Sequence, residues 1–184
     1  MRIKIFEIAA IGLFSALAYA GGYLLITIPN LEIFTAIVFI AGVFLGKRNG
    51  LLVGVIAQSL YSIFNPWGIS PLPLFVAQVL NRAFVGFVGG CYAQYLDKES
   101  SLWLQAIKLG AIGLVVTWLY DLMAFLSLIF ISGFTEQGMK VSFMTGLPFY
   151  LIHGFANTLI FAFGLPFLIK ALKRMEAFKA LKIS

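Results

Sequence analysis

The chain has 184 residues, 61% hydrophobic and 11% charged, with a mean hydropathy of +1.01. Too little polar surface remains to cover a water-soluble globule, and spans with short connectors leave no length for a soluble catalytic or nucleotide-binding domain. A net charge of +6 would suggest nucleic acid in a soluble protein, but these basic residues cluster at the ends of apolar runs, where they meet lipid head groups and set topology, so nucleic acid is excluded as a partner.

The expectation is one all-α integral membrane domain over residues 1–184, multi-pass, in the cell membrane. Windows of sustained hydrophobicity bounded by charge, Gly or Pro predict six transmembrane helices, at about 6–27, 31–46, 50–64, 72–95, 102–132 and 142–170. The first follows Arg2 and Lys4 and carries Ala18-Tyr19-Ala20, which imitates a secretory cleavage site. Gly12, Ala16 and Ala20 form one helical stripe there, as a packed span needs and a discarded leader does not, so the span is expected to be retained. Spans two and three have only about 15 residues each, short for a bilayer core of about 30 Å. A re-entrant hairpin is the rival reading, but it would leave the Lys47-Arg48 tip in hydrocarbon at several kcal/mol, which favours two crossings. Spans four and five are long and expected to tilt. After the sixth, Lys170 to Ser184 intersperses basic residues with Leu172, Met175, Phe178 and Leu181, the pattern of an interfacial amphipathic helix.

Counted from the span ends, eleven of the thirteen basic residues fall on one side: Arg2, Lys4, Lys47, Arg48, Lys98, Lys108, Lys170, Lys173, Arg174, Lys179 and Lys182. The positive-inside rule makes that side, and both termini, cytoplasmic. Lys140 falls in an outer loop and Arg82 inside a span. The outer segments, Ile28-Pro29-Asn30, Asn65 to Pro71 and Ser132 to Val141, are rich in Pro, Gly, Asn and aromatic residues, suiting ordered caps on the bundle.

Arg82 is ten residues inward from Leu72, Asp121 eleven from Ser132 and His153 eleven from Ser142. At 1.5 Å per residue all three lie about 15 to 17 Å from the outer boundary. An unpaired charge at that depth costs at least about 2.5 to 3.5 kcal/mol, so Arg82 and Asp121 are expected to face inward and compensate each other, directly or through a ligand. Gln78 and Asn81 share a face with Arg82, Asn157 with His153, and Trp118 with Asp121. Tyr150 and Phe149 stand one turn outward of His153, and Phe75 one turn outward of Gln78. Two readings of this polar level stay open: interhelical glue, or a substrate pocket whose aromatic walls stack a small flat ring while Arg82 pairs with a carboxylate or phosphate. Trp67, in the second outer loop, would cap it; Glu32 is read as interfacial, within reach of a ligand from the first outer loop.

Small residues raise a similar choice. The Gly12-Ala16-Ala20 face suits either packing inside the bundle or a partner helix, whereas Gly42, Gly46, Gly50 and Gly54, with Gly86 and Gly90, point to internal packing. No catalytic residues are expected: there is one His, no HExxH or GxSxG, and no paired carboxylates on one face. Cys91, the only cysteine, is read as a packing residue; no metal ligand set and no cofactor is expected.

With the Gly12-Ala16-Ala20 face, Pro29-Asn30-Leu31-Glu32, the pair Ala41 to Gly46 and Gly50 to Gly54, and six spans in this length, the chain resembles over nearly its full length the substrate-binding S components of energy-coupling factor (ECF) transporters. That resemblance implies a subunit that captures a vitamin or related cofactor precursor from the extracellular side, is not an enzyme, and docks through Ala16 and Ala20, extended by Gly12, on a membrane-embedded T subunit bound to two ATPases. It also implies an outward ligand site under loops, with Asn65 to Gly68 as a lid and Arg82, Asp121, His153, Asn157, Gln78, Asn81, Trp67, Trp118 and Tyr150 as candidate contacts. The ligand stays open among thiamine, riboflavin, biotin, folate, pantothenate, cobalamin and queuosine precursors. No GxxxxGK[ST] loop is present for ATP hydrolysis. Two rivals are a structural or assembly subunit without a ligand, and an autonomous secondary transporter coupled to protons through Asp121 and His153.

Overall fold

The computed structural model describes residues 5–96 and 101–174. Arg2, Lys4, the connector 97–100 with Lys98, and the expected interfacial helix beyond Arg174 with Lys179 and Lys182 lie outside them. All regular structure in the described residues is helical: α1 Ile5–Leu24, α2 Phe34–Ile63, α3 Leu72–Tyr92 with a 3-10 turn Ala93–Tyr95, α4 Leu102–Ser132, α5 Glu136–Leu159, a π-helical turn Ile160–Gly164, and α6 Leu165–Lys173. Five helices are long and apolar enough to cross a membrane, the last being the continuous run Glu136–Lys173.

The expected second and third spans form the single segment α2, broken at Gly46, whose φ of 85° and ψ of 172° are open essentially to glycine alone. The two arms fold back on each other. A Cβ added to Gly50 would stand 2.4 Å from the Gly42 Cα, whereas a continuous helix would separate residues eight apart by about 12 Å. Glycine then lets both arms lie backbone to backbone on α3. An added Cβ would sit 1.9 Å from the Gly86 carbonyl oxygen at Gly42, 2.1 Å from that of Arg82 at Gly54, and, at Gly89, 2.1 Å from that of Phe39. This seam is the internal packing read from the glycine series. Val38, Phe39, Val53, Val85, Leu109 and Phe161 fill the core beside it, with Phe39 stacking obliquely on Phe161 at 5.2 Å.

The last long helix begins at Glu136, ahead of the hydropathy window that opens at Ser142. Capping chemistry starts it early: the Thr135 hydroxyl accepts from the Gly138 amide at 3.1 Å, and Lys140 pairs with Glu136 one turn on at 2.6 Å. Farther along, Pro166 lacks the amide that an α-helix would use, next to the π turn at Ile160–Gly164.

In α1 the inward residues are Ile11, Phe14, Ser15, Ala18, Gly21 and Gly22. Gly12, Ala16 and Ala20 are exposed on the other side, and nothing lies within 4 Å of a Cβ added to Gly12. Among the described residues, nothing covers that small-residue face.

Candidate functional site

The site begins with the loop between α1 and α2. Asn30 adopts a positive φ of 58° and donates from Nδ2 to the Phe149 carbonyl on α5 at 3.0 Å, tying the loop across the bundle. The turn places Glu32 at the start of α2, where its Oε2 accepts from the Thr35 amide at 2.8 Å. A carboxylate at a helix N-terminus satisfies an orphan amide and meets the positive end of the helix dipole. Its other oxygen faces inward. Oε1 accepts from the Thr35 hydroxyl and from Asn157 Nδ2 at 3.3 Å, and lies 3.5 Å from Arg82 Nη2 and 3.7 Å from His153 Nε2. Burial raises the Glu32 pKa, but the Arg82 guanidinium, His153 and the Thr35 hydroxyl outweigh it and hold the carboxyl well below the ordinary carboxylate range.

Arg82 is buried and held at each of its three nitrogens. Its Nε donates to Gln58 Oε1 at 3.2 Å, Nη1 donates to the Thr35 hydroxyl, and Nη2 pairs with Glu32. Its Cζ lies 5.0 Å from the Phe34 ring centroid and 4.6 Å from that of Tyr120, so the cation is held between two aromatic faces. Arg82 therefore pairs with Glu32 rather than with Asp121. Asp121 instead bonds His153, Oδ1 to Nδ1, at 2.8 Å. The reason is the loop: with Glu32 folded onto the start of α2, α3 meets a nearer carboxylate than the one on α4.

Above this ionic floor is a cavity of about 240 Å³, whose lining includes Glu32, Gln58, Arg82 and His153, with Phe34, Tyr61, Tyr120 and Trp67 as its aromatic surfaces. Of the residues singled out from sequence, Arg82, His153 and Trp67 line the cavity. Asn157 reaches it through Glu32 and Asp121 through His153. Gln78 lies behind the wall, donating to the Tyr120 hydroxyl at 3.0 Å and accepting from Ser62 at 2.9 Å and Ser70 at 3.2 Å. Asn81 is turned to α4, where it donates to the Val116 carbonyl at 3.3 Å. Trp118 and Tyr150 line, with Asp121, a different crevice between α4 and α5 of about 310 Å³. There the Trp118 indole covers Gly154, where an added Cβ would be 2.5 Å from Nε1.

Sequence reasoning passed over Thr35, Gln58, Tyr61 and Tyr120 and placed Glu32 at the periphery. Gln58 alone carried a readable signal, an amide directly after the apolar run Leu51 to Ala57. The loop that follows α2 is held by local hydrogen bonds. The Asn65 side chain accepts from the Trp67 amide at 2.9 Å, Gly68 has a positive φ of 106°, and Tyr23 donates to the Phe64 carbonyl at 2.9 Å.

Residues 6–175 match the family described as "ECF transporter, substrate-specific component". The chain belongs to that family. No curated protein and no solved structure matches it. As an ECF substrate-specific component the chain is a transporter subunit, not an enzyme, and a multi-pass protein of the cell membrane. In this S component the glycine seam, the Asn30 tie and the Glu32–Arg82 pair bring residues from α2, α3, α4 and α5 to one small polar cavity beneath the α1–α2 and α2–α3 loops.

Proposed function

We propose that this S component captures a vitamin or related cofactor precursor from the extracellular side in the cavity above Glu32 and Arg82, and delivers it through a separate T subunit bound to two ATPases. The observation that carries the reading is the cavity itself, polar at its floor and aromatic on its sides, beneath ordered loops. A purely structural subunit has no need of such a space. Six crossings with both termini cytoplasmic fit the folded-back α2 and the one-sided basic residues.

The ionic groups narrow the ligand. Glu32 and Arg82 compensate each other, and Asp121 is bonded to His153. A ligand therefore needs no net charge to neutralise the site. Ligand pockets run from about 300 Å³ upward, so a cavity of about 240 Å³ suits a compound of one or two rings better than one the size of cobalamin. Such a ring would stack on Tyr61, Tyr120 or Trp67 and hydrogen-bond through His153, Asn157 and Gln58. Gln78, Asn81 and Asp121 support those contacts from behind, while Trp118 and Tyr150 shape the neighbouring crevice. Gly12, Ala16 and Ala20 are the docking face, because they are exposed and flat.

The test is native mass spectrometry of the gently purified protein, with identification of any small molecule released on denaturation. A stoichiometric one- or two-ring vitamin or precursor is the expected result. An empty protein that also ignores a vitamin panel in thermal-shift titration would refute capture.

A further inference from the structure

Among the described residues, five buried side-chain oxygens have no hydrogen-bond partner. One is Ser15 Oγ on α1; the other four are Asn81 Oδ1 on α3, Thr117 Oγ1 and Asp121 Oδ2 on α4, and Asn157 Oδ1 on α5. Asn81, Thr117 and Asn157 are each 1% exposed and Asp121 7%, so bulk water does not reach them. Buried polar atoms are ordinarily satisfied, and four left over behind one ligand cavity point to a guest.

The helices bring these four residues to one level. α4 and α5 are joined through 133–135 and run antiparallel, with Asp121 and His153 meeting at 2.8 Å. One turn farther from that connection, Thr117 on α4 comes opposite Asn157 on α5. The next turn confirms the register, since a Cβ added to Gly113 would lie 3.1 Å from the Asn157 carbonyl oxygen. From α3, Asn81 Nδ2 donates at 3.3 Å to the carbonyl of Val116, the residue before Thr117. Both amides are oriented by their partners. The Asn81 nitrogen meets a carbonyl and the Asn157 nitrogen meets the Glu32 carboxylate, so in each case oxygen is the atom left over.

The chemistry of these atoms selects the guest. Three of the four are acceptors only, and a single water has two hydrogens to offer them. Among the described residues no three His, Cys, Asp or Glu side chains gather, and a set made of oxygens alone suits a hard cation. One carboxylate among three neutral oxygens falls short of the charge that tight calcium sites collect. Arg82 is engaged by Glu32, which leaves Asp121 Oδ2 without a cationic partner.

We propose that Asn81, Thr117, Asp121 and Asn157 hold a sodium ion, one turn deeper in the bundle than the Asp121–His153 bond. Sodium there would fix Asn157 against Glu32 and Asp121 against His153, stiffening the cavity floor from behind. That consequence for capture rests on the function proposed above, whereas the ion site does not.

The test is thermal unfolding of the full purified chain, without ligand, in sodium, potassium or choline chloride at constant ionic strength. The unfolding temperature should rise saturably with sodium, less with potassium and not with choline. Thr117→Val, which keeps the shape and removes one oxygen, should weaken the apparent sodium affinity about tenfold or more, while Thr117→Ser should retain it. Equal responses to sodium and potassium would overturn the proposal, as would a sodium response unchanged in Thr117→Val. Identical curves in all three salts would also overturn it and leave these oxygens to water. The salt comparison on the wild type decides the matter even where a variant fails to fold.

Discussion

Glu32 joins three parts of the site, since one carboxylate accepts from the first turn of α2, compensates Arg82 and accepts from Asn157. Breaking a buried pair by removing one partner leaves the other charge uncompensated, at about 3 to 5 kcal/mol. Glu32→Ala should therefore lower the unfolding temperature sharply and abolish ligand binding, as read by thermal shift in detergent. Arg82→Lys should also lose binding, because an ammonium cannot serve Gln58, Thr35 and Glu32 in one plane. The depressed Glu32 pKa has a defined sign. Its contribution to stability is complete above the ordinary value of 4.5 and is lost as pH falls through the lower folded value. The Glu32→Ala protein should lack that acid-side loss, a difference that melting curves taken down the acid range would reveal. Arg82, Asp121 and His153 were legible in sequence because a charge inside an apolar run has few explanations. Glu32 was misjudged because its depth is set by a folded loop and not by its distance from a span end. Tyr61 and Tyr120 were invisible for another reason: in lipid, an aromatic residue facing a cavity and one facing acyl chains have the same surroundings in sequence.

The α2 hairpin and α3 depend on glycine for their closeness, and the seam passes beside the site, since Gly54 abuts the Arg82 carbonyl. Gly54→Val should force α3 away and displace Arg82, with loss of both stability and binding. Gly12→Val, in open space, should leave both unchanged in the isolated protein. Measuring the two together separates a packing glycine from a surface one. The glycine spacing made this seam readable beforehand, while the break at Gly46 left the number of helices ambiguous. The final long helix presents a different pattern. His153, Asn157, Phe161, Leu165 and Ile169 are all buried at intervals of four, although four residues overshoot an α-helical turn by about 40°. The wider π turn at Ile160–Gly164 keeps the later residues of this stripe inward. A hydropathy window records that the stretch is apolar and misses the change of pitch that aims Phe161 and Ile169 the same way.

The proposed function divides the molecule into a capture site and a docking face on different surfaces. Ala16→Trp or Ala20→Trp should abolish uptake in cells carrying the complete transporter while ligand binding by the purified subunit stays within about twofold, because these positions are exposed and an exposed substitution disturbs the fold little. Loss of binding as well would defeat the division. Uptake that persists without the ATPases and collapses with the proton gradient would favour the proton-coupled rival. Yet the two surfaces are only one helix apart. Gly22 of α1 lines the cavity, and its Cα lies so near the Tyr61 ring that an added Cβ would be 2.7 Å from it. Ala16 and Ala20 lie within two turns of Gly22 on the opposite side of the same rod. A T subunit docked on this rod as proposed would hold a wall of the cavity from outside. Tilting or withdrawing it would change the cavity's width with no intermediate linkage, across a lever of a single helix's thickness.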